Sequence, residues 1–125
     1  MAHESMKRSI DACNDCAIAC DHCASASLME QDVRSLTRCI ALDIDCAETC
    51  RTSVALMSRG SELAGVFCEV CAQFCDACAE ECAKYPYDHC RECIQACRRC
   101  AAECRRMASS MPRPRASSGV SIPAH

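Results

Sequence analysis

Apolar positions recur along this chain in steps of three and four residues, and cysteine occupies many of them. Residues spaced in this way share one face of an α-helix, so the pattern predicts amphipathic helices with sulfur on the inner face. Charged residues such as Glu69 and Arg98 stand beside the cysteines. Four segments show the pattern: Cys13, Cys16, Cys20 and Cys23; Cys39, Cys46 and Cys50; Cys68, Cys71, Cys75, Cys78 and Cys82; and Cys90, Cys93, Cys97, Cys100 and Cys104.

Turn-forming residues separate the four segments. Gly60 followed by Ser61 indicates a helix C-terminus and then an N-cap. Pro86 interrupts the pattern before the fourth segment, and a first helical turn tolerates proline. Because the connections are short, the predicted fold is all-α, an antiparallel up-down-up-down four-helix bundle with a Cys-lined core. The predicted helices span about residues 4–27, 32–58, 61–84 and 86–107.

The length of 125 residues allows one domain. Residues 1–108 are predicted to form the Cys-rich four-helix bundle. From Ser109 onward the periodicity stops and Ser, Pro and Gly become frequent, so residues 109–125 are predicted to be a flexible C-terminal tail.

The composition indicates what fills the core of this bundle. Leu, Ile, Val and Phe together make up only 18 of the 125 residues, too few for an ordinary hydrophobic core, whereas 17 residues are cysteine. Either the chain is disordered or cysteine sulfur forms its core. Because protonated cysteine behaves as a small hydrophobic residue, we expect the metal-free bundle to fold, with less stability than the loaded one.

Charge and hydropathy restrict the partners and the compartment. The formal net charge of -3 is too balanced for a nucleic-acid-binding or polybasic membrane-surface protein, so we expect neither partner. The segment from Met1 to Cys13 lacks an apolar signal-peptide core, and no stretch is long and apolar enough to span a bilayer. We therefore expect a cytoplasmic protein, whose dense cysteines indicate metal ligation or redox chemistry rather than structural disulfides.

The spacing of the thiols favours metal over disulfides. Helical neighbours three or four residues apart hold their Cβ atoms about 5–6 Å apart, whereas a disulfide needs roughly 3.5–4.5 Å. Two thiolates on one ion lie up to about 4.6 Å apart, which residues i and i+4 can reach. Six pairs have this spacing: Cys16/Cys20, Cys46/Cys50, Cys71/Cys75, Cys78/Cys82, Cys93/Cys97 and Cys100/Cys104.

Charge then favours a monovalent soft ion. One Cu(I) for each displaced thiol proton leaves a buried lumen near neutral, whereas Zn(II) on four thiolates leaves about -2 at each site. Multiple Cu(I) ions per chain are therefore the first choice, for storage and detoxification of copper. An iron-sulfur electron-transfer protein and a zinc or thiol redox buffer are the alternatives. No catalytic constellation stands out, so an enzyme is not expected.

The ends of the bundle differ in chemistry. Continuing the rows beyond the cysteines places Met6, Met57 and Met107 at one mouth, where the third helix offers only small residues. These thioethers either receive Cu(I) through an open mouth or fill gaps as adaptable packing residues. The opposite end is predicted to be plugged by Leu36, Ile40, Tyr85 and Tyr87.

Few other polar residues fall on the inner face. His22 and His89 each lie one step off a cysteine row, which predicts solvent exposure rather than ligation, and His3 is close enough to Met6 to line the mouth. Asp43 fills the missing step of the second row, as a weak ligand, a hydrogen-bond acceptor or a displaced polar residue. The basic face of the fourth helix and the acidic face of the third are expected either to be solvated or to pair with each other, with a modest effect on stability.

The four Cys-lined helices and the repeated C-x2-C-x3-C-x2-C-x3-C spacing resemble the bacterial four-helix-bundle copper storage proteins over about residues 5–107. The resemblance implies a cytosolic homotetramer of bundles that each store many Cu(I) ions, with copper donor and acceptor proteins as partners. Asp43 departs from the family's row of thiols. The implied metal ligands are Cys13, Cys16, Cys20, Cys23, Cys39, Cys46, Cys50, Cys68, Cys71, Cys75, Cys78, Cys82, Cys90, Cys93, Cys97, Cys100 and Cys104. The positions of Met6, Met57 and Met107 at the end of the rows add these three residues as candidate ligands.

Overall fold

The computed structural model describes residues 2–112 and 114, without the side chains of residues 2, 3 and 5. Four α-helices and one short 3-10 helix make up this part of the chain, and no strand occurs in it. The helices are α1 (Ala2–Leu28), α2 (Thr37–Ser58), α3 (Ala64–Cys82) and α4 (Asp88–Ser110), with the 3-10 turn at Val33–Leu36.

Each helix packs on its neighbour in sequence, and α4 packs back on α1 to close the bundle. Thiol contacts show that neighbouring helices are antiparallel. Cys46 on α2 meets Cys75 on α3, while Cys50, one turn later on α2, meets the earlier Cys71. The predicted antiparallel four-helix bundle is therefore confirmed.

The turn between α2 and α3 has the predicted glycine and a different N-cap. Gly60 has a φ of 64°, and the N–H groups of Gly60 and Ser61 bond to the carbonyls of Met57 and Leu56, which closes the last turn of α2. The predicted start of the third helix at residue 61 is wrong. Leu63 precedes α3 directly, and the Ser61 hydroxyl accepts the N–H of Leu63 before the helix begins.

Other helix boundaries shift by a few residues. The second helix was predicted from residue 32, but a 3-10 turn comes first and α2 begins at Thr37. Tyr87 is extended and precedes α4, so Pro86 lies outside the helix rather than in its first turn. At its other end α4 continues to Ser110, into the predicted tail. The flexibility predicted for residues 115–125 concerns a segment outside the described residues.

Sulfur forms the core of the bundle. All 17 cysteine side chains have no exposed surface, and alanines pack between them on the helix flanks. The bulkier apolar side chains that are fully or almost fully buried are Leu36 at one end and Met57 and Met107 at the other. Cysteine therefore takes the place of leucine in an otherwise ordinary bundle.

Ion pairs join the helices on the outside. Arg105 of α4 pairs with Asp76 of α3, as the charge pattern predicts. Arg99, also on α4, pairs instead with Asp15 of α1 at 2.8 Å. These side chains are about half exposed, so each pair contributes only modestly to stability. Among the described residues, no helix has the length and apolar character needed to cross a membrane.

Candidate metal centre

The thiols of all four helices point into one lumen and remain unpaired by disulfides. The shortest contacts cross between helices: Sγ of Cys39 lies 3.4 Å from Sγ of Cys82, and Sγ of Cys13 lies 3.4 Å from that of Cys100. Contacts also follow the diagonals, since Cys16 on α1 is 3.9 Å from Cys75 on α3. The lumen is narrow enough for thiols of opposite helices to share an ion.

Pairs four residues apart on one helix have the separation that a bridging ion requires. Three of the six predicted pairs are in direct contact, each with 3.9 Å between the sulfurs. Two metal–sulfur bonds of about 2.3 Å span up to about 4.6 Å, so small rotamer changes admit an ion. These pairs are Cys16/Cys20, Cys93/Cys97 and Cys100/Cys104.

Groups of four thiols follow one another along the lumen. Within each group, all sulfurs lie within 4.8 Å of one another and all four residues are buried. Three of the five groups given below share cysteines, and Cys50 joins a fourth through contacts with Cys71 at 3.7 Å and Cys100 at 3.8 Å, so these four form a continuous column. The group of Cys23, Cys39, Cys82 and Cys90 meets this column at Asp43, which contacts Cys82 and Cys78. Five of the groups are Cys13/Cys71/Cys100/Cys104, Cys16/Cys46/Cys50/Cys75, Cys16/Cys20/Cys46/Cys97, Cys20/Cys78/Cys93/Cys97 and Cys23/Cys39/Cys82/Cys90.

Asp43 is the one carboxylate in this column, and it is fully buried. Its Oδ1 accepts hydrogen bonds from Cys78 at 3.1 Å and from Cys93 at 3.2 Å, and its Oδ2 accepts from Cys39 at 3.8 Å. Of the three roles open from sequence, the structure shows the hydrogen-bond acceptor. Burial, followed by the neighbouring Cys93 and Cys78, raises the pKa of Asp43 far above its usual range, so this carboxyl is neutral.

His89 is not solvent-exposed, contrary to the sequence prediction, whereas His22 is exposed as predicted. The His89 side chain is 10% exposed, and its Nδ1 lies 3.3 Å from Sγ of Cys23 and 3.6 Å from Sγ of Cys90. Its Nε2 contacts the Glu30 carboxylate at 2.8 Å. The loop after α1 brings Glu30 over the end of the lumen, which holds the ring inward. Sequence spacing carries no signal for this contact.

The thiols at the His89 end differ in acidity. Burial raises the pKa of Cys90 to about 12. Hydrogen bonds with Cys39 and Cys82, and to a smaller extent with His89, lower the pKa of Cys23. Hydrogen bonds with Cys23 raise the pKa values of Cys39 and Cys82 in turn, so the four thiols titrate as one interacting group.

The other end, here called the methionine end, is formed by Met6, Met57 and Met107. Met57 and Met107 are almost completely buried, which contradicts the expectation of an open mouth. Met6 is half-buried and lines a surface pocket of about 270 Å³ together with Met57 and Lys7. The structure therefore brings Met6 and Met57 together at a pocket, with Met107 in the core behind it. The side chain of His3 lies outside the described residues.

A carboxylate that the sequence did not reveal holds the opposite end together. Glu81 is 3% exposed and accepts hydrogen bonds from Arg38, Lys84 and the Tyr85 hydroxyl. The donation from Lys84, followed by those from Arg38 and Tyr85, lowers the pKa of Glu81. Only the spacing to Lys84 and Tyr85 is visible in the sequence, because Arg38 comes from α2. With Leu36 fully buried below, this end is closed.

The fold and the lumen together define a class of protein: a four-helix bundle whose interior presents a column of thiols to soft metal ions. The chain matches the family model for copper storage proteins over residues 2–109. It therefore belongs to the copper storage protein family.

Several similar proteins agree with this assignment. The apo copper storage protein 3 from Bacillus subtilis is 43% identical, with a TM-score of 0.78 over 82% of this chain and 97% of that one. A cytosolic copper storage protein from Streptomyces lividans, solved with five coppers, is 38% identical, with a TM-score of 0.84 over 87% of this chain and 96% of that one. The cysteine-rich protein YhjQ of Bacillus subtilis is 43% identical over 63 residues, which span 50% of this chain and 58% of that relative.

Proposed function

We propose that this protein stores multiple Cu(I) ions as cargo on the cysteine thiolates of its lumen. The column of four-thiol groups carries the proposal, because four of the five groups share cysteines or are joined by thiol contacts, and all of them have the separations that bridging thiolates require. All 17 cysteines are the proposed ligands. Asp43 interrupts the row of α2 and is the only carboxyl group among the lumen donors.

The charge of the lumen supports copper over zinc. Among the described residues no lysine or arginine is buried, so no fixed cation offsets negative charge inside the bundle. A Cu(I) ion that replaces one thiol proton adds no charge, whereas each Zn(II) tetrathiolate adds about -2 to a low-dielectric interior. Storage of a monovalent ion therefore needs no counter-ion at any loading.

The rest of the proposal concerns the cellular setting. The Streptomyces lividans relative is described as cytosolic, and we place this protein in the cytoplasm as well. We further propose a homotetramer, with copper donor and acceptor proteins that reach the lumen through the methionine end. The protein acts as a store rather than as an enzyme, since the thiols are buried from larger substrates.

A Cu(I) titration of the reduced apoprotein tests the storage function. Cu(I) is added in the presence of a chromophoric Cu(I) chelator, and protein-bound copper is read from the copper that the chelator does not take. We expect saturation near one Cu(I) per cysteine, unchanged by competing Zn(II). Saturation at only a few equivalents, or displacement of copper by zinc, would mean isolated sites and would refute storage.

A further inference from the structure

The inner row of α2 does not end at its last cysteine. It continues through Ser53 to Met57, in the same steps of three and four residues. Ser53 has no exposed surface, and its Oγ has no hydrogen-bond partner among the described residues. An unpartnered buried hydroxyl is unfavourable for folding, so its presence on the inner row points to a ligand.

The register of α2 and α3 identifies the residue that Ser53 faces. Cys46 meets Cys75 and Cys50 meets Cys71, so the next step places Ser53 opposite Cys68. Cys68 is fully buried and belongs to none of the five four-thiol groups described above. Its thiol neighbour is Cys104 on α4.

The same register places two methionine thioethers next to Ser53 and Cys68. Met57 follows Ser53 by four residues on α2, and Met107 follows Cys104 by three residues on α4. Both methionines are almost completely buried. The helix register therefore places a thiol, a hydroxyl and two thioethers at the end of the thiol column.

We propose that Cys68, Ser53, Met57 and Met107 form a mixed-donor Cu(I) site at the methionine end, from which copper exchanges faster than from the thiol column. Binding of one Cu(I) releases the Cys68 proton, and the resulting thiolate neutralises the ion. The hydroxyl and thioethers are neutral donors, so the site stays uncharged in a buried place. This inference rests on the proposed storage function.

The donor set explains the faster exchange. Thiolates are stronger ligands for Cu(I) than thioethers, and a hydroxyl is a hard, poor donor for this ion. Cys104, the thiol neighbour of Cys68, already belongs to the group of Cys13, Cys71 and Cys100, which leaves Cys68 as the one thiolate of this site. An ion held by one thiolate dissociates more readily than an ion shared among several. The neighbouring pocket at Met6 and Met57 gives a chelator or an acceptor protein a short route to it.

Copper removal from the fully loaded protein tests the site. Excess chromophoric chelator is mixed with the loaded protein, and the release is followed in time. We expect a fast phase of about one equivalent per chain, followed by a slow phase from the column. A wild-type protein that loads fully but releases all copper in one phase would overturn this inference and leave the storage function intact. Failure to load beyond a few equivalents would instead refute storage itself.

Two serine substitutions localise the fast phase. Ser53→Cys adds a thiol beside Cys68, so total copper should rise by about one equivalent and the fast phase should disappear. Ser27→Cys is the matched control, because Ser27 is equally buried on the α1 row at the opposite end, 3.9 Å from Sγ of Cys23. It should retain the fast phase. The same fast phase in both variants would contradict the proposed site.

Removal of the single thiolate gives an independent check. Cys68→Ser should lose the fast phase and about one equivalent of copper while the slow phase remains. Circular dichroism of both metal-free and loaded protein establishes whether the variant is folded. If the folded variant kept the fast phase, Cys68 would not be the ligand and the assignment would be wrong. The Ser53→Cys variant decides the question if Cys68→Ser does not fold.

Discussion

Replacement of Asp43 by asparagine should stabilise the metal-free protein at neutral pH. Asp43 is fully buried, and among the described residues no lysine, arginine or histidine pairs with it. Its pKa is strongly raised, first by burial and then by Cys93 and Cys78, so the folded protein keeps the carboxyl proton at pH 7. The unfolded chain loses that proton near the ordinary aspartate pKa of about 3.9. Folding at pH 7 must therefore recover a proton from solution.

The cost of this protonation follows from the pH difference. Each pH unit between about 3.9 and 7 costs about 1.4 kcal/mol, so the penalty at pH 7 is about 4 kcal/mol. Asparagine has nearly the same shape and no charge to lose. Its amide oxygen still accepts the thiols of Cys78 and Cys93, although its NH₂ group must find an acceptor near Cys39. We expect a net gain of about 2–4 kcal/mol at pH 7.

Urea unfolding of the reduced apoproteins from pH 4 to pH 8 provides the measurement. Above about pH 4 the unfolded wild-type chain binds fewer protons at position 43 than the folded chain, so this residue makes stability fall as pH rises. The Asp43→Asn variant lacks this contribution. The advantage of the variant should grow with pH, and near pH 4 only the cost of burying the amide NH₂ group, about 0–2 kcal/mol against the variant, should remain. A difference that does not change with pH would show that Asp43 is ionised in the folded state.

Two further predictions concern the ends of the bundle. Leu36→Ala removes a fully buried side chain and should lower the free energy of unfolding of the apoprotein by about 2–5 kcal/mol, measured by urea titration. The control variant Leu63→Ala, at a position that is 52% exposed, should lower it much less. Equal losses would mean that Leu36 does not pack the closed end. Replacement of Met6, Met57 and Met107 together by leucine should slow Cu(I) uptake, measured by stopped-flow mixing. The control variant Met29→Leu, at a position that is 85% exposed, should take up Cu(I) at the wild-type rate. An unchanged rate of Cu(I) uptake in the triple variant would show that these methionines only pack the end of the bundle.

The cysteine rows were predictable because one physical rule decides them. Steps of three and four residues place side chains on one helix face. Because the chain has too few aliphatic residues to fill the core, the 17 cysteines had to fill it. The same rule predicts that Asp43 faces inward. It says nothing of the ionisation of Asp43, which depends on thiols from α3 and α4 and on the burial of the carboxyl group.

Contacts between distant segments were not predictable. His89 lies one step off its row, so helix periodicity places it outside, yet the loop after α1 supplies Glu30 and holds the ring against Cys23. Glu81 is buried because Arg38 reaches it from α2. Both cases depend on how loops and helix ends meet in space, for which the spacing along one helix carries no information.

Native mass spectrometry of the copper-loaded protein tests the central claim most directly, because it reports both the number of ions and the number of protons that they displace. We predict that each added Cu(I) removes one proton and that loading proceeds to about one ion per cysteine, with the thiols accounting for every displaced proton. A loaded protein with only a few ions, or with ions added without loss of protons, would contradict an interior that exchanges thiol protons for Cu(I).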